Sequence, residues 1–158
     1  MNSEQRNAAK ECAGLSASGR IHFGELVTRL MKAGIERYHS DYSRMETTYY
    51  TPDGGSYVEP MVLDHAQIGE TFSAAQVEAA VRQAQRGEIM YPQFTRQALA
   101  AGCVGYFVQI TGKCVQYFGR NGETHTERFP SADRSNERSV AFKKVQTRPE
   151  TERMTGHD

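Results

Sequence analysis

The sequence predicts an α+β fold of two layers: a tandem duplication of a helix-helix-three-strand-meander unit whose helices cover one face of an antiparallel sheet. Three observations carry this. Ala33-Gly34-Ile35-Glu36-Arg37-Tyr38 returns 68 residues later as Ala101-Gly102-Cys103-Val104-Gly105-Tyr106, and the same offset superposes Gly19 on Gly87, Ile21 on Ile89, Tyr49 on Tyr117, Gly54 on Gly122 and Glu59 on Glu127. That makes eight identities in the 41 positions from 19 to 59, where composition alone gives roughly two or three. After each repeated glycine the hydrophobic period changes from 3.6 to 2, the switch from helix to strand. Turn residues then cut the strand-like stretch into three pieces in each half.

In order along the chain, residues 3 to 18 predict a first helix with Ser3 as N-cap, a small apolar set at Ala8, Ala9 and Cys12, and Gly19 as its stop. Phe23, Leu26, Val27, Leu30 and Met31 follow the i, i+3, i+4, i+7, i+8 spacing of one buried stripe on a second helix. Gly34 ends it, because glycine reaches the left-handed backbone past a helix end without steric cost. Residues 35 to 42 and 45 to 51, rich in Tyr and Thr, predict two strands about a turn at Ser43-Arg44. Pro52-Asp53-Gly54-Gly55 predicts the next turn, and Ser56 to Glu59 a third strand closed by Pro60. Residues 61 to 70 connect the halves, with Met61-Val62-Leu63 extending a strand or covering a core edge.

Ser73 with Gln76 forms the capping box of a third helix, and Phe72 with Val77 its hydrophobic staple. Val77, Ala80, Val81 and Ala84 are its inner face. A fourth helix starts near Pro92, buries Phe94, Ala98 and Leu99, and stops at Gly102. Strands at about 103 to 110, 113 to 119 and 124 to 129 follow, with Asn121-Gly122 as a hairpin signal. The domain is expected to span 1–130, in repeats of about 1–68 and 69–130. Residues 131–158 turn polar and predict a disordered tail, with 139–145 able to dock as a short strand.

Alternate strand residues point to opposite faces. One parity carries Val104, Tyr106, Val108, Ile110, Val115 and Tyr117, with Glu36, Tyr38, Ser40, Tyr42, Thr47 and Tyr49 as counterparts in the first unit, and this is the expected helix-covered core. The other parity carries Arg37, His39, Asp41, Glu46, Thr48 and Tyr50, then Phe107, Gln109, Cys114, Gln116 and Phe118. An antiparallel sheet with helices on one side leaves such a face open. Arg37, His39, Asp41, Glu46 and Tyr50 are the candidate open-face site, and Phe107, Cys114 and Phe118 a candidate oligomer or ligand patch.

Nineteen basic residues balance nineteen acidic ones, so no overall field steers the chain to nucleic acid or an anionic membrane. The three cysteines have no CxxC spacing, which argues against a disulfide framework or structural zinc and for a reducing cytoplasm. The first residues are polar with no apolar region behind them, and no segment nears the ~20 apolar residues of a membrane span. No metal and no cofactor is implied. His39, Asp41 and Glu46 are the residue types of acid/base or metal chemistry, but an i, i+2 His/Asp pair on a strand is more often a solvated face. Cys114 is the thiol expected at the surface, without a recognisable base, and Cys103 a small buried hydrophobe. The turn at Pro52-Asp53-Gly54-Gly55 lacks the lysine of a phosphate loop and the acidic spacing of a calcium loop.

Phe-x-x-Leu-x-x-x-Leu-Met-x-Ala-Gly-Ile-x-x-Tyr, Thr-Tyr-Tyr-x-x-Asp-Gly, Gly87-Glu88-Ile89-x-Tyr91-x-x-Phe94 and Ala101-Gly102-Cys103-Val104-Gly105-Tyr106 recur in order over residues 20 to 130. This set resembles the DUF1398 family, the small YbcV/YdfO-like proteins of enterobacteria often found in prophage regions. The resemblance implies an α+β fold and a prophage association, and it carries no catalytic residue or cofactor. The expectation is a cytoplasmic binding or interaction protein working through its open sheet face on a protein or small ligand, with a homodimer as one form. The rivals are a small hydrolase or metal-dependent enzyme built on His39, Asp41 and Glu46, and a single-stranded nucleic-acid binder using the tyrosines.

Overall fold

Local signals at the helix ends decide most of the element boundaries. The computed structural model describes residues 1–63 and 67–130, and Met1–Arg128 form one compact unit. Its elements are α1 (Ser3–Ala17), α2 (Phe23–Lys32), β1 (Arg37–Asp41), β2 (Glu46–Tyr50), β3 (Ser56–Pro60), α3 (Ala74–Gln85), α4 (Tyr91–Ala100), β4 (Cys103–Gln109), β5 (Cys114–Gly119) and β6 (Thr124–Arg128). The N-cap of α1 is Asn2 rather than Ser3: its Oδ1 accepts from the Gln5 amide at 2.8 Å while Gln5 Oε1 accepts from the Asn2 amide at 3.0 Å. Ser73 does cap α3, its hydroxyl accepting from the Gln76 amide at 3.2 Å. The Ser73 amide donates to Ala101 O instead of to Gln76, so only half of the expected box forms.

The strands make a single antiparallel sheet in the order β3-β2-β1-β4-β5-β6, an open α+β fold. Both halves run helix, helix, three strands, and α2, α4, β3 and β6 recur at an offset of 68 residues. The halves join through β1 and β4, where His39 lies opposite Phe107, its own counterpart at that offset. A local two-fold axis therefore passes between His39 and Phe107, normal to the sheet. Dyad-related bonds close both ends of this central pair, Tyr42 N–H to Val104 O and Ile110 N–H to Glu36 O, each 3.0 Å.

The core lies between the sheet and the helices. Tyr38, Tyr42, Tyr49, Tyr106 and Tyr117 are all at most 6% exposed, as strand parity predicts. Tyr38 packs on Tyr49 at 5.5 Å and its counterpart Tyr106 on Tyr117 at 5.6 Å. Burial pushes the pKa of each of these phenols up, so they stay neutral. Hydroxyl pairs satisfy part of the buried polarity: Tyr91 with Tyr106 at 2.7 Å and Ser40 with Thr47 at 2.9 Å. Leu26, Leu30, Val77, Ala80, Val81, Phe94, Ala98 and Leu99 close the layer from the helices.

Several expectations change. Val104 belongs to the outer side, because the register shifts between Cys103 and Gly105. This bulge turns Cys103, fully buried, into the core in its place. Glu36 precedes β1 and stays half-exposed beside Arg37, 3.7 Å away, since a carboxylate gains nothing from the apolar layer. The stripe of α2 narrows to Leu26 and Leu30, with Phe23 43% and Met31 56% exposed. Met61-Val62-Leu63 extends no strand, and Val62 is 82% exposed. The hairpin turns need one left-handed residue each, Met45 and its counterpart Lys113, so β2 and β5 start one residue after those positions. The tail expected at 131–158, with its 139–145 strand, lies outside the described residues.

Candidate functional site

The odd-parity side chains of β1 and the even-parity ones of β2 stand on the sheet face away from the helices, in three rows set by the register. One row reads Ser56, Tyr50, Arg37, Gln109, Cys114, Arg128; the middle row Val58, Thr48, His39, Phe107, Gln116, Thr126; the third Pro60, Glu46, Asp41, Gly105, Phe118, Thr124. All eight sequence-predicted residues are on this face. Those on the four inner strands are half-buried, because each covers its neighbours.

The centre is a ring cluster. His39 stacks on Phe107 with centroids 4.3 Å apart and planes 11° from parallel. Phe118 meets Phe107 edge-on at 6.3 Å. The Arg37 guanidinium sits 4.1 Å over Tyr50 and 6.0 Å from Phe107, a cation–π arrangement that orders it while its side chain stays 37% exposed. Partial burial pushes the pKa of His39 down, against the weaker upward pull of the Asp41 carboxylate. A neutral imidazole at neutral pH suits its stacking.

His39, Asp41 and Glu46 do not converge. Asp41 Oδ1 accepts from the Ser43 and Arg44 amides at 2.9 and 3.2 Å, holding the β1–β2 turn. Glu46 pairs with Arg44 at 2.6 Å, and His39 faces Thr48 and Phe107. Among the described residues no group of His, Cys, Asp and Glu is arranged to hold a metal ion. All three cysteines are unpaired, Cys12 and Cys103 buried and Cys114 half-buried.

Beside the ring cluster lies a hollow of about 420 Å³, lined by His39, Asp41, Ser43, Val104, Gly105, Phe107 and Phe118. Its floor is Gly105. A Cβ there would stand 2.5 Å from the Ser40 carbonyl oxygen, closer than real atoms approach, so the position takes glycine and leaves room above it. The sequence reading missed Ser43, Val104 and Gly105. A glycine inside a strand pattern was the available signal, since it marks a bulge or a close backbone approach. Two-fold symmetry sharpens the contrast: the counterpart of the Gly105–Phe118 pair is Arg37–Tyr50, so a cationic knob stands at one corner where a hollow opens at the other.

No helix among the described residues is long and apolar enough to cross a membrane. No curated protein matches the sequence. Residues 60–127 match the sequence model described as "Protein of unknown function (DUF1398)", a span running from the end of β3 into β6.

Proposed function

We propose that this chain is a non-enzymatic binding protein whose working surface is the open sheet face. The observation that carries the reading is the ring cluster of His39, Phe107 and Phe118 next to the hollow over Gly105, framed by Arg37, Asp41 and Glu46. A small apolar centre inside a polar rim is the anatomy of an interaction surface. The hydrolase or metal reading lacks support, since His39, Asp41 and Glu46 are each held by a separate contact. Nucleic-acid stacking also lacks support, because the rings turn their faces to one another or to Arg37 and leave no flat platform for a base. The three unpaired cysteines fit a cytoplasmic setting, and a prophage accessory role is what the resemblance to DUF1398 proteins implies. The recurrence of element bounds at 68 residues supports descent of the two repeats, about 1–68 and 69–130, from one duplicated unit.

Native mass spectrometry of the full chain purified from expressing cells tests the surface. Any bound species should be retained by the wild type and lost from Phe107→Glu and Phe118→Glu, with circular dichroism unchanged. A species that stays bound to both folded variants refutes the open face as its site.

A further inference from the structure

The knob and the hollow on this face carry opposite character, and their positions are related by symmetry. Arg37 lies in the first row on β1 and Asp41 in the third row on the same strand, equidistant from His39 in the middle row. Turning a second copy over about an axis that runs along the middle row reverses the strand direction and lays the first row on the third. Arg37 of each copy then faces Asp41 of the other, at the rim of the hollow over Gly105. Gln109 faces Gly105, the one position on the four inner strands where the face lacks a side chain, and His39 and Phe107 lie near the axis. A turn about an axis along the strands would instead set Arg37 against Gln109 and Asp41 against Gly105, with no charge on charge. Aligned packing of two sheets about 10 Å apart accommodates either turn, so charge selects between them.

Resting on the reading of the open face as a binding surface, we infer that its occupant is a second copy of this chain, docked face to face with Arg37 of each entering the other's hollow beside Asp41. The contact is isologous, each copy giving the same patch. Arg37 arrives already ordered over Tyr50, 4.1 Å away, which lowers the entropy lost on docking. Asp41 keeps one carboxylate oxygen on the turn amides and has the other for the guanidinium. A face six strands wide and five residues long measures roughly 30 by 17 Å, small beside standard interfaces, so a weak, concentration-dependent dimer is expected.

Light scattering and sedimentation of the full chain from about 1 to 500 μM test this with a charge swap. Arg37→Asp alone sets two carboxylates together in both contacts, and Asp41→Arg alone sets two guanidiniums together, so each variant should be monomeric, its dissociation constant raised about 100-fold or more. An equimolar mixture should dimerise as the wild type does, because each contact again pairs opposite charges. Asp41→Asn keeps a turn acceptor and serves if Asp41→Arg fails to fold: it should weaken the dimer about 10-fold. A wild type that stays monomeric overturns the inference and leaves the face to another partner. So does a mixture no better than its components, or an unchanged Asp41→Asn dimer. If the dimer survives the charge changes but not Phe107→Glu, the docking geometry is wrong and the binding face stands. If it survives Phe107→Glu as well, the dimer forms through another surface: the inference fails, and the face is again left to another partner.

Discussion

The repeated glycines Gly34 and Gly102 stand at the same place in the two halves, and their substitution by alanine separates backbone strain from packing. Both have left-handed backbones, at φ 90° and 82°, where a Cβ costs about 1–2 kcal/mol. Their surroundings differ. At Gly34 a Cβ would meet only Gln5 Nε2, at 3.0 Å, the end of a side chain that can swing away. At Gly102 it would stand 2.3 Å from the Thr71 carbonyl oxygen, 2.6 Å from its carbon and 2.9 Å from Phe72 Cα, all backbone. Overpacking against atoms that cannot rotate adds about 1–3 kcal/mol. Gly34→Ala should therefore lose about 1–2 kcal/mol and Gly102→Ala about 2–5 kcal/mol. At about 4 °C per kcal/mol for a domain of this size, the two melting temperatures should differ by roughly 8 °C. Thermal and urea unfolding followed by circular dichroism read both values. Asparagine, which tolerates the left-handed region, should relieve much of the loss at 34 and little at 102. Equal losses, or a greater loss at 34, would refute the assignment of the difference to the Thr71–Phe72 backbone.

Three further outcomes follow from the core and the face. The Tyr42 and Thr95 hydroxyls are buried beside each other with no well-formed hydrogen bond among the described residues. Tyr42→Phe should thus be neutral or stabilising in urea unfolding, while Tyr106→Phe, which removes the 2.7 Å partner of the Tyr91 hydroxyl, should lose about 1 kcal/mol. Burial pushes the thiols of Cys12 and Cys103 up, so a thiol reagent should label Cys114 in the native protein and the other two only on unfolding; mass mapping of the labelled chain reads this. Because the fold lowers the pKa of His39, the unfolded chain binds the proton more tightly. Stability from this group is full above about pH 6.5 and is lost as the pH falls below it. The melting temperature of the wild type should fall more between about pH 7.5 and 5 than that of His39→Gln.

Period and parity made the layers legible. Tyr38, Tyr49, Tyr106 and Tyr117 are core residues because strand geometry leaves each of them one side only. The glycines after each helix stop it because the chain must turn there. The meeting of the halves was not legible, since β1 and β4 are separated by two helices and two strands and nothing local encodes their pairing. The His39–Phe107 stack and the hollow both depend on that pairing. Val104 was misplaced for a related reason: a bulge inserts one residue and reverses parity beyond it. The stripe of α2 was read too wide because the 3.6 period assigns a direction to Phe23 and Met31 without saying whether the neighbouring layer reaches them.

On the helix side of the sheet the dyad-related residues keep their character, as Tyr38 with Tyr106 and Tyr49 with Tyr117. On the open side they part: Arg37 against Gly105, Asp41 against Gln109, Glu46 against Cys114. A face with Arg and Asp in both halves would set charge on charge under either docking turn, and a partner could seat in two orientations. Removing the charges from one half leaves the turn about the middle row as the one that pairs them. Discrimination of this kind comes from what the alternative lacks as much as from what the chosen contact gains. Giving the second half the charges of the first with the double change Gly105→Arg and Gln109→Asp would not isolate this effect, because any side chain at 105 collides with the Ser40 carbonyl 2.5 Å away. Gln109→Asp alone does isolate it. Under the turn about the middle row the new carboxylate faces Gly105, whereas under the turn about the strand direction it faces Arg37. A tighter dimer of Gln109→Asp, by about 3-fold or more, would assign the docking to the second turn; an equal or weaker one is the outcome the first turn requires.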